Sequence, residues 1–343
     1  MKLVIYKSKL FYLLLLLIVV IASCKKNLPD DALSLSKDTQ FTQTLYQPVL
    51  GRNNLFSGNF NPGSSSLPLN FKIVNMRRFN GESAPELNDY FPVKIWKQAY
   101  DGTEKSLEEI EAKRGIENHK LFEIREHSGQ FLMWDAAKSD FVKSQPDSGY
   151  VFDVEMSNSG GKRYFQKMRL RPFKERPYEP SNFDAVTGQE VRTSVNPSVI
   201  SNIRGERTNR FLGSADIQVL FNKVSGGPGN TISFKFVDTL FRTIDPNKFT
   251  TTQWDNVVHG FNMVKTAEKV TYQVAYPIPL NDYPTKYTTT LGDKASSLFR
   301  FERIGFGNVL QKSIIGLNYN IYEKGDWEII FWFKTEKPKF VND

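Results

Sequence analysis

Cysteine is almost missing from this chain: Cys24 is the only one among 343 residues. No intramolecular disulfide can form, and no cluster of thiolates is available for zinc or an iron–sulfur centre. Histidine is scarce as well. His119, His127 and His259 form neither an HExxH pattern nor a close pair, so hydrogen-bonded or surface histidines are the ordinary reading. The chain also lacks a GxSxG elbow, a GxxxxGK[ST] phosphate loop and a GxGxxG placed between a strand and a helix. Gly226-Gly227-Pro228-Gly229 is glycine-rich but falls between two strand-like stretches, where it reads as a turn. Long helical periodicities are nearly absent. These absences lead to the expectation of a non-enzymatic protein without metal or cofactor.

Only one long apolar run is present, from Leu10 to Ala22, and Lys2, Lys7 and Lys9 precede it. This is the layout of a secretion signal, and the run is shorter than the roughly 20 residues a helix needs to cross a bilayer core. The run ends in Ile21-Ala22-Ser23-Cys24, which resembles the lipobox of bacterial lipoproteins. That resemblance implies removal of residues 1–23 and attachment of lipid to Cys24, which would consume the only thiol. Lys25-Lys26 and the polar stretch that follows, with Pro29, Asp30 and Asp31, make residues 24–39 a flexible tether. A residue other than Asp directly after the cysteine resembles the signal for outer-membrane delivery. Asp30-Asp31 is similar to the acidic export signals of Bacteroidetes surface lipoproteins. The expected location is the outer membrane, with the choice between periplasmic and cell-surface display left open.

Charge is mild once the signal is set aside: 42 basic against 37 acidic side chains leave +5 where the whole chain has +8. A nucleic-acid binder would show a dense basic stripe. Lys162, Arg163, Lys167, Arg169, Arg171, Lys174 and Arg176 come nearest to one, but they alternate with apolar residues and read as a solvated strand face, so no nucleic-acid partner is expected.

What the chain has in quantity is aromatic rings, with 27 Phe, 14 Tyr and 5 Trp, in segments that alternate apolar and polar residues. This pattern predicts an all-β protein, mainly strands with one or two short helices. One hairpin is expected to join Tyr150–Met156 to Tyr164–Leu170 through Ser157–Gly161, with Val154 opposite Met168, Asp153 opposite Arg169 and Glu155 opposite Lys167. A second joins Asp216–Val224 to Thr231–Val237, setting Phe221 against Phe234 and Val219 against Phe236. A third turns at Lys324-Gly325-Asp326, so that Ile321, Tyr319 and Leu317 meet Ile329, Phe331 and Phe333. The best helix runs from about Thr103 to Arg114, opened by Asp101 and closed by Gly115, with Leu107 and Ile110 as its apolar stripe. A short second helix is expected around Thr252 to His259.

Pro172, Pro177, Pro180 and Pro197 interrupt the pattern, so residues 176–209 read as a linker between β-units at 40–175 and 210–343. Immunoglobulin-like sandwiches are the expected architecture, and a single large curved sheet is the alternative.

No carboxylate pair stands out. Glu108, Glu109 and Glu111 fit the wet face of the helix, and Glu123, Asp135, Asp140 and Asp147 are scattered. Aromatics are the better lead, because a pyranose ring stacks on Trp or Tyr while amides and carboxylates hold its hydroxyls. The outer face of the last hairpin offers Trp332, Tyr322, Asn318, Asn320 and Glu328 for this, and Trp254 and Trp134 are further candidates. Burial of Trp332 in a central strand is the competing reading.

The stretches Phe41–Arg52 and Phe71–Gly81, with the Ser23-Cys24-Lys25-Lys26 junction, are similar to an uncharacterised family of full-length Bacteroidetes lipoproteins. In class this resembles the accessory glycan-binding lipoproteins of starch-utilisation-type systems, which stand beside a TonB-dependent transporter. The resemblance implies a lipid-anchored protein that binds glycan or a partner protein in nutrient uptake. The alternatives are a structural partner of an outer-membrane transporter and a glycan hydrolase of unrecognised family.

Overall fold

The computed structural model describes residues 33–343; the signal, Cys24 and the first part of the tether lie outside the described residues. The described residues are mainly β, and among them there are only two short helices, Pro85–Asn88 and Leu107–Ala112. Two large apolar cores organise it, one built from the first half and one from the second, and a small cluster of Tyr100, Ile110, Ala275 and Leu280 joins them.

In the first half, a four-stranded sheet runs in the order Leu45–Tyr46, Gly161–Leu170, Tyr150–Asn158, Asn70–Arg78. A three-stranded sheet of Asn54–Phe56, Phe131–Met133 and Phe122–Ile124 contributes to the same core. Tyr46, Phe122, Phe131 and Phe152 pack ring to ring there, with Tyr46 and Phe131 centroids 4.5 Å apart and Phe131 and Phe152 5.5 Å apart. The first expected hairpin forms, but in a different register: Phe152 lies opposite Met168 and Val154 opposite Phe165. The strands run on to a two-residue turn, Ser159-Gly160, which sets this register, and a bulge at Gln166-Lys167 shifts it by one residue opposite Asp153. Its carboxylate accepts the backbone N–H of Lys167, whose φ is +60°, and the side-chain amide of Asn75. Glu155 therefore pairs with Lys162 and Tyr164 rather than Lys167.

In the second half, a five-stranded sheet has the order Ile217–Val224, Asp326–Phe333, Thr231–Val237, Lys269–Val274, Gly260–Lys265. Opposite it lies a long hairpin, Ala295–Gly305 with Val309–Ile321. The second expected hairpin is corrected here, because Asp326–Phe333 inserts between its two strands, antiparallel to one and parallel to the other. The expected partners still share a rank: Phe221, Ile329 and Phe234 line up, as do Val219, Phe331 and Phe236. The third expected hairpin is corrected as well. Val309–Ile321 and Asp326–Phe333 belong to different sheets, so Leu317, Tyr319 and Ile321 contribute to the core from one layer and Ile329, Phe331 and Phe333 from the other. Phe299 fills the space between layers, with centroids 4.9 Å from Phe236, 5.3 Å from Phe234 and 5.4 Å from Phe331.

Residues 176–209, expected to be a linker, are laid onto this sandwich. Tyr178–Glu179 and Val199–Ser201 pair with Val309–Ile321, Val195 bridges Val219, and Ile203 is fully buried. The prolines punctuate short strands without detaching the segment. The main helix is shorter than expected: Ser106 caps it, accepting the N–H of Glu109, while Asp101 closes a turn onto Thr103. Arg114 and Gly115 are drawn into a strand, Arg114–Lys120, that pairs with Tyr90–Trp96. The region around Thr252–His259 holds a single 3-10 turn, Trp254–Asn256.

The glycine-rich turn wraps one of the chain's own carboxylates. Asp326 accepts from the backbone N–H groups of Gly229, Asn230 and Thr231 and from the Thr231 hydroxyl. A Cβ on Gly227 would stand 2.4 Å from the Asp326 carboxylate, so the approach requires glycine. Burial alone would raise the pKa of this carboxyl, but the Thr231 and backbone donors hold it below its usual value. Asp326→Ala should cost about 2–3 kcal/mol by stranding these donors. Chemical denaturation would measure it, and a loss within error of zero would refute this role for the turn.

Candidate functional site

A cavity of about 200 Å³ opens where the two halves meet. Gly51, Arg52, Asn53, Trp96 and Asp135 line it from the first half; Pro277, the stretch Pro279 to Asp282, Asn320 and Tyr322 supply the other wall. Two of these residues, Trp96 and Asn320, sit on strands, and the others come from turns and loops. Trp96 ends the strand Tyr90–Trp96, and the Arg114 guanidinium lies 4.4 Å over its ring while donating to the Tyr276 carbonyl at 3.0 Å. Asn320 lies near the end of Val309–Ile321 and donates to the Asp293 carbonyl at 2.8 Å. Tyr322 follows it, held by its own N–H on the Pro177 carbonyl.

Arg52 bridges the halves. Its guanidinium stacks 3.9 Å from the centre of the Tyr322 ring and reaches Glu179 at 2.8 Å; Arg176 reaches the same carboxylate oxygen at 2.8 Å. Yet Nε and Nη2 of Arg52 are buried without a protein acceptor. Buried donors in this state are where an ordered water or a ligand oxygen settles. Burial pushes the Asp135 carboxyl above its usual value, against the pull of Lys138 and Arg114, so this side of the cavity has a carboxyl that protonates more readily than an exposed one. The Asp135 backbone N–H is fixed by the Asn53 side chain at 2.9 Å.

Of the seven residues expected to bind a ligand, the structure brings Asn320 and Tyr322 together in this cavity and places the others elsewhere. Trp332 and Glu328 sit on the outer face of the five-stranded sheet, where Trp332 packs edge-on against Phe241 and Glu328 pairs with Lys269 at 3.2 Å. Asn318 lies half-buried on the opposite layer, its backbone N–H bonded to the Ser198 hydroxyl. Trp254 packs on Phe299 under Lys265, and Trp134 packs on His119 with ring centroids 4.9 Å apart. The separation follows from the strand crossover, because the strands carrying Asn318 and Trp332 do not share a sheet. Arg52, Trp96, Asp135 and the Pro277–Asp282 segment were missed. The aperiodic Pro-Ile-Pro-Leu-Asn-Asp run between two strand-like stretches was the available signal for a loop with a task.

Behind the cavity, His259 is buried in the junction. Its Nε2–H donates to the Glu104 carbonyl at 2.9 Å, its Nδ1 accepts the Tyr100 hydroxyl at 2.6 Å, and its ring stacks on Tyr287 with centroids 4.6 Å apart. His119, by contrast, lies between Glu117 and Glu123, whose carboxylates outweigh its burial and raise its pKa, and His127 is exposed. Among the described residues no three His, Cys, Asp or Glu side chains converge on a metal position.

A family model described as "Domain of unknown function (DUF5007)" matches residues 60–342. The chain belongs to this family. No curated protein matches it. The DUF5007 match includes the second core, most of the first, their junction and most of the cavity lining, while Phe41, Tyr46 and Leu50 of the first core and Gly51, Arg52 and Asn53 of the cavity precede its start.

Burial lowers the His259 pKa, so protons tie its state to the junction. Below about pH 6.5 the unfolded chain takes a proton before the folded one does, and stability falls until the lower folded value is passed. Denaturation midpoints should therefore drop between about pH 7 and pH 5.5 in the wild type, and less in His259→Gln. Equal drops in both proteins would remove His259 as the cause.

Proposed function

We propose that this protein is exported, tied to the outer membrane through a lipid on Cys24, and binds a saccharide in the cavity between its halves without chemically altering it. The observation that carries this reading is the cavity lining: two large rings, Trp96 and Tyr322, beside the amide of Asn320, the carboxyl of Asp135 and the unpartnered donors of Arg52. An apolar ring face with polar groups around it suits a sugar, which presents C–H groups on its faces and hydroxyls at its rim. The signal layout and lipobox support export and anchoring, and the resemblance to accessory glycan-binding lipoproteins of Bacteroidetes supports display at the cell surface.

Isothermal titration against a panel of soluble polysaccharides and their oligosaccharides tests the binding. Trp96→Ala should weaken binding by about tenfold or more, equivalent to roughly 1.4 kcal/mol, and Trp332→Ala should leave it unchanged. Absence of binding across the panel, or equal loss in both variants, would overturn the saccharide reading.

A second reading, attachment to a partner such as a TonB-dependent transporter, is favoured by one feature. The tip of the long hairpin holds Phe306 89% exposed, with Val309 and Leu310 also exposed beside it. Apolar side chains grouped at an exposed tip mark protein contacts. Co-purification after mild detergent extraction should retain a transporter with the wild type and lose it with Phe306→Ser. Retention by both would exclude the tip as the contact.

A further inference from the structure

Residues 33–39, expected to belong to the flexible tether, are pinned to the first half. The Ser34 N–H donates to the Ser66 hydroxyl, and the Ser34 carbonyl accepts from the Ser66 N–H and the Asn158 amide. Arg163 donates to the carbonyls of Ser36 and Lys37 at 2.8 and 2.9 Å. Leu33 itself crosses the hairpin turn so closely that a Cβ on Gly160 would stand 1.6 Å from its carbonyl oxygen. Leu33, the first described residue, is therefore held at one defined place, between the Asn158–Gly161 turn and the Pro62–Leu67 loop.

This shortens the leash. Cys24 lies nine residues before Leu33, a distance of at most about 32 Å even when fully extended. The same end presents Leu67, 68% exposed, with Lys37 and Lys162 exposed nearby, although Lys162 also reaches Glu155 at 2.8 Å. From the turn, the ten-residue strand Gly161–Leu170 leads away for about 30 Å. Its far end pairs with Tyr46, and Phe173 beyond it bridges Val49, which brings the chain to Arg52 and the cavity.

We infer that the end of the first half carrying the Asn158–Gly161 turn and Leu67 rests on the phospholipid surface that holds the Cys24 lipid, with the cavity and the second half turned away from it. This rests on the lipid-anchor reading above. A bilayer is the occupant because the chain length between Cys24 and Leu33 keeps this end within reach of it, and an exposed leucine flanked by lysines suits the boundary between headgroups and acyl chains. The orientation holds the cavity open to ligands that arrive from the aqueous side.

Because Cys24 is the only cysteine and its thiol is consumed by lipid, a single introduced cysteine can be labelled uniquely. The lipidated full chain would carry a fluorophore at Leu67→Cys, Ser159→Cys, Leu291→Cys or Phe306→Cys and be reconstituted into phosphatidylcholine–phosphatidylglycerol vesicles containing a spin-labelled quencher lipid. Labels at 67 and 159 should be quenched about threefold more than labels at 291 and 306, given the short tether. Flotation of the same samples separates the two readings. If the wild type fails to float with vesicles, or floats equally as Cys24→Ser, the lipid anchor and the orientation fall together. If it floats through Cys24 but quenching is uniform, or strongest at 291 or 306, the anchor stands and the orientation is overturned.

Discussion

The insertion of Asp326–Phe333 between Ile217–Val224 and Thr231–Val237 is the constraint on which the second half depends. Without that strand the two neighbours have no common partner, and Phe331 and Ile329 leave a gap in the middle of the aromatic layer around Phe299. The strand comes from the end of the chain, so the sheet closes only through contacts distant in sequence, where loop-closure entropy must be overcome before any packing is gained. Asp326 locks its first residue by filling the glycine-rich turn with the carboxylate that the turn's donors require.

The crossover that makes this possible also decides what the outside looks like. As Val309–Ile321 passes into Asp326–Phe333, the chain changes layers, and outward residues of consecutive strands end on opposite sides of the sandwich. Asn320 and Tyr322 are carried toward the first half, and Trp332 away from it. The cavity is thus assembled from strand ends and loops of both halves, bridged by Arg52 on Tyr322 and Arg114 on the Tyr276 carbonyl. His259 sits behind it as a neutral, doubly hydrogen-bonded ring, which rigidifies the junction at the cost of burying a titratable group.

Alternation of apolar and polar residues made the strands legible, and with them the β class, the inward residues of the last two strands and the ranks that join Phe221 to Phe234 and Val219 to Phe236. The side-chain period of two is a local property, so it survives whichever strand turns out to be the neighbour. Neighbour identity is not local. The bulge opposite Asp153, the inserted strand and the recruitment of residues 176–209 each depend on pairing partners, and no short-range pattern carries that information.

The same division applies to the site. Sequence alone determined which segments pleat, which faces turn inward, the lack of an intramolecular disulfide, a thiolate cluster and a nucleotide-loop motif, and the candidacy of Tyr322 and Asn320. Tertiary structure decided that Trp332 and Glu328 stand apart from them, that Arg52, Trp96 and Asp135 stand beside them, and that the tether is fastened as far back as Leu33. A cavity is a relation between elements distant in the chain, created when buried apolar faces dock, and it exists only once the strand order is settled.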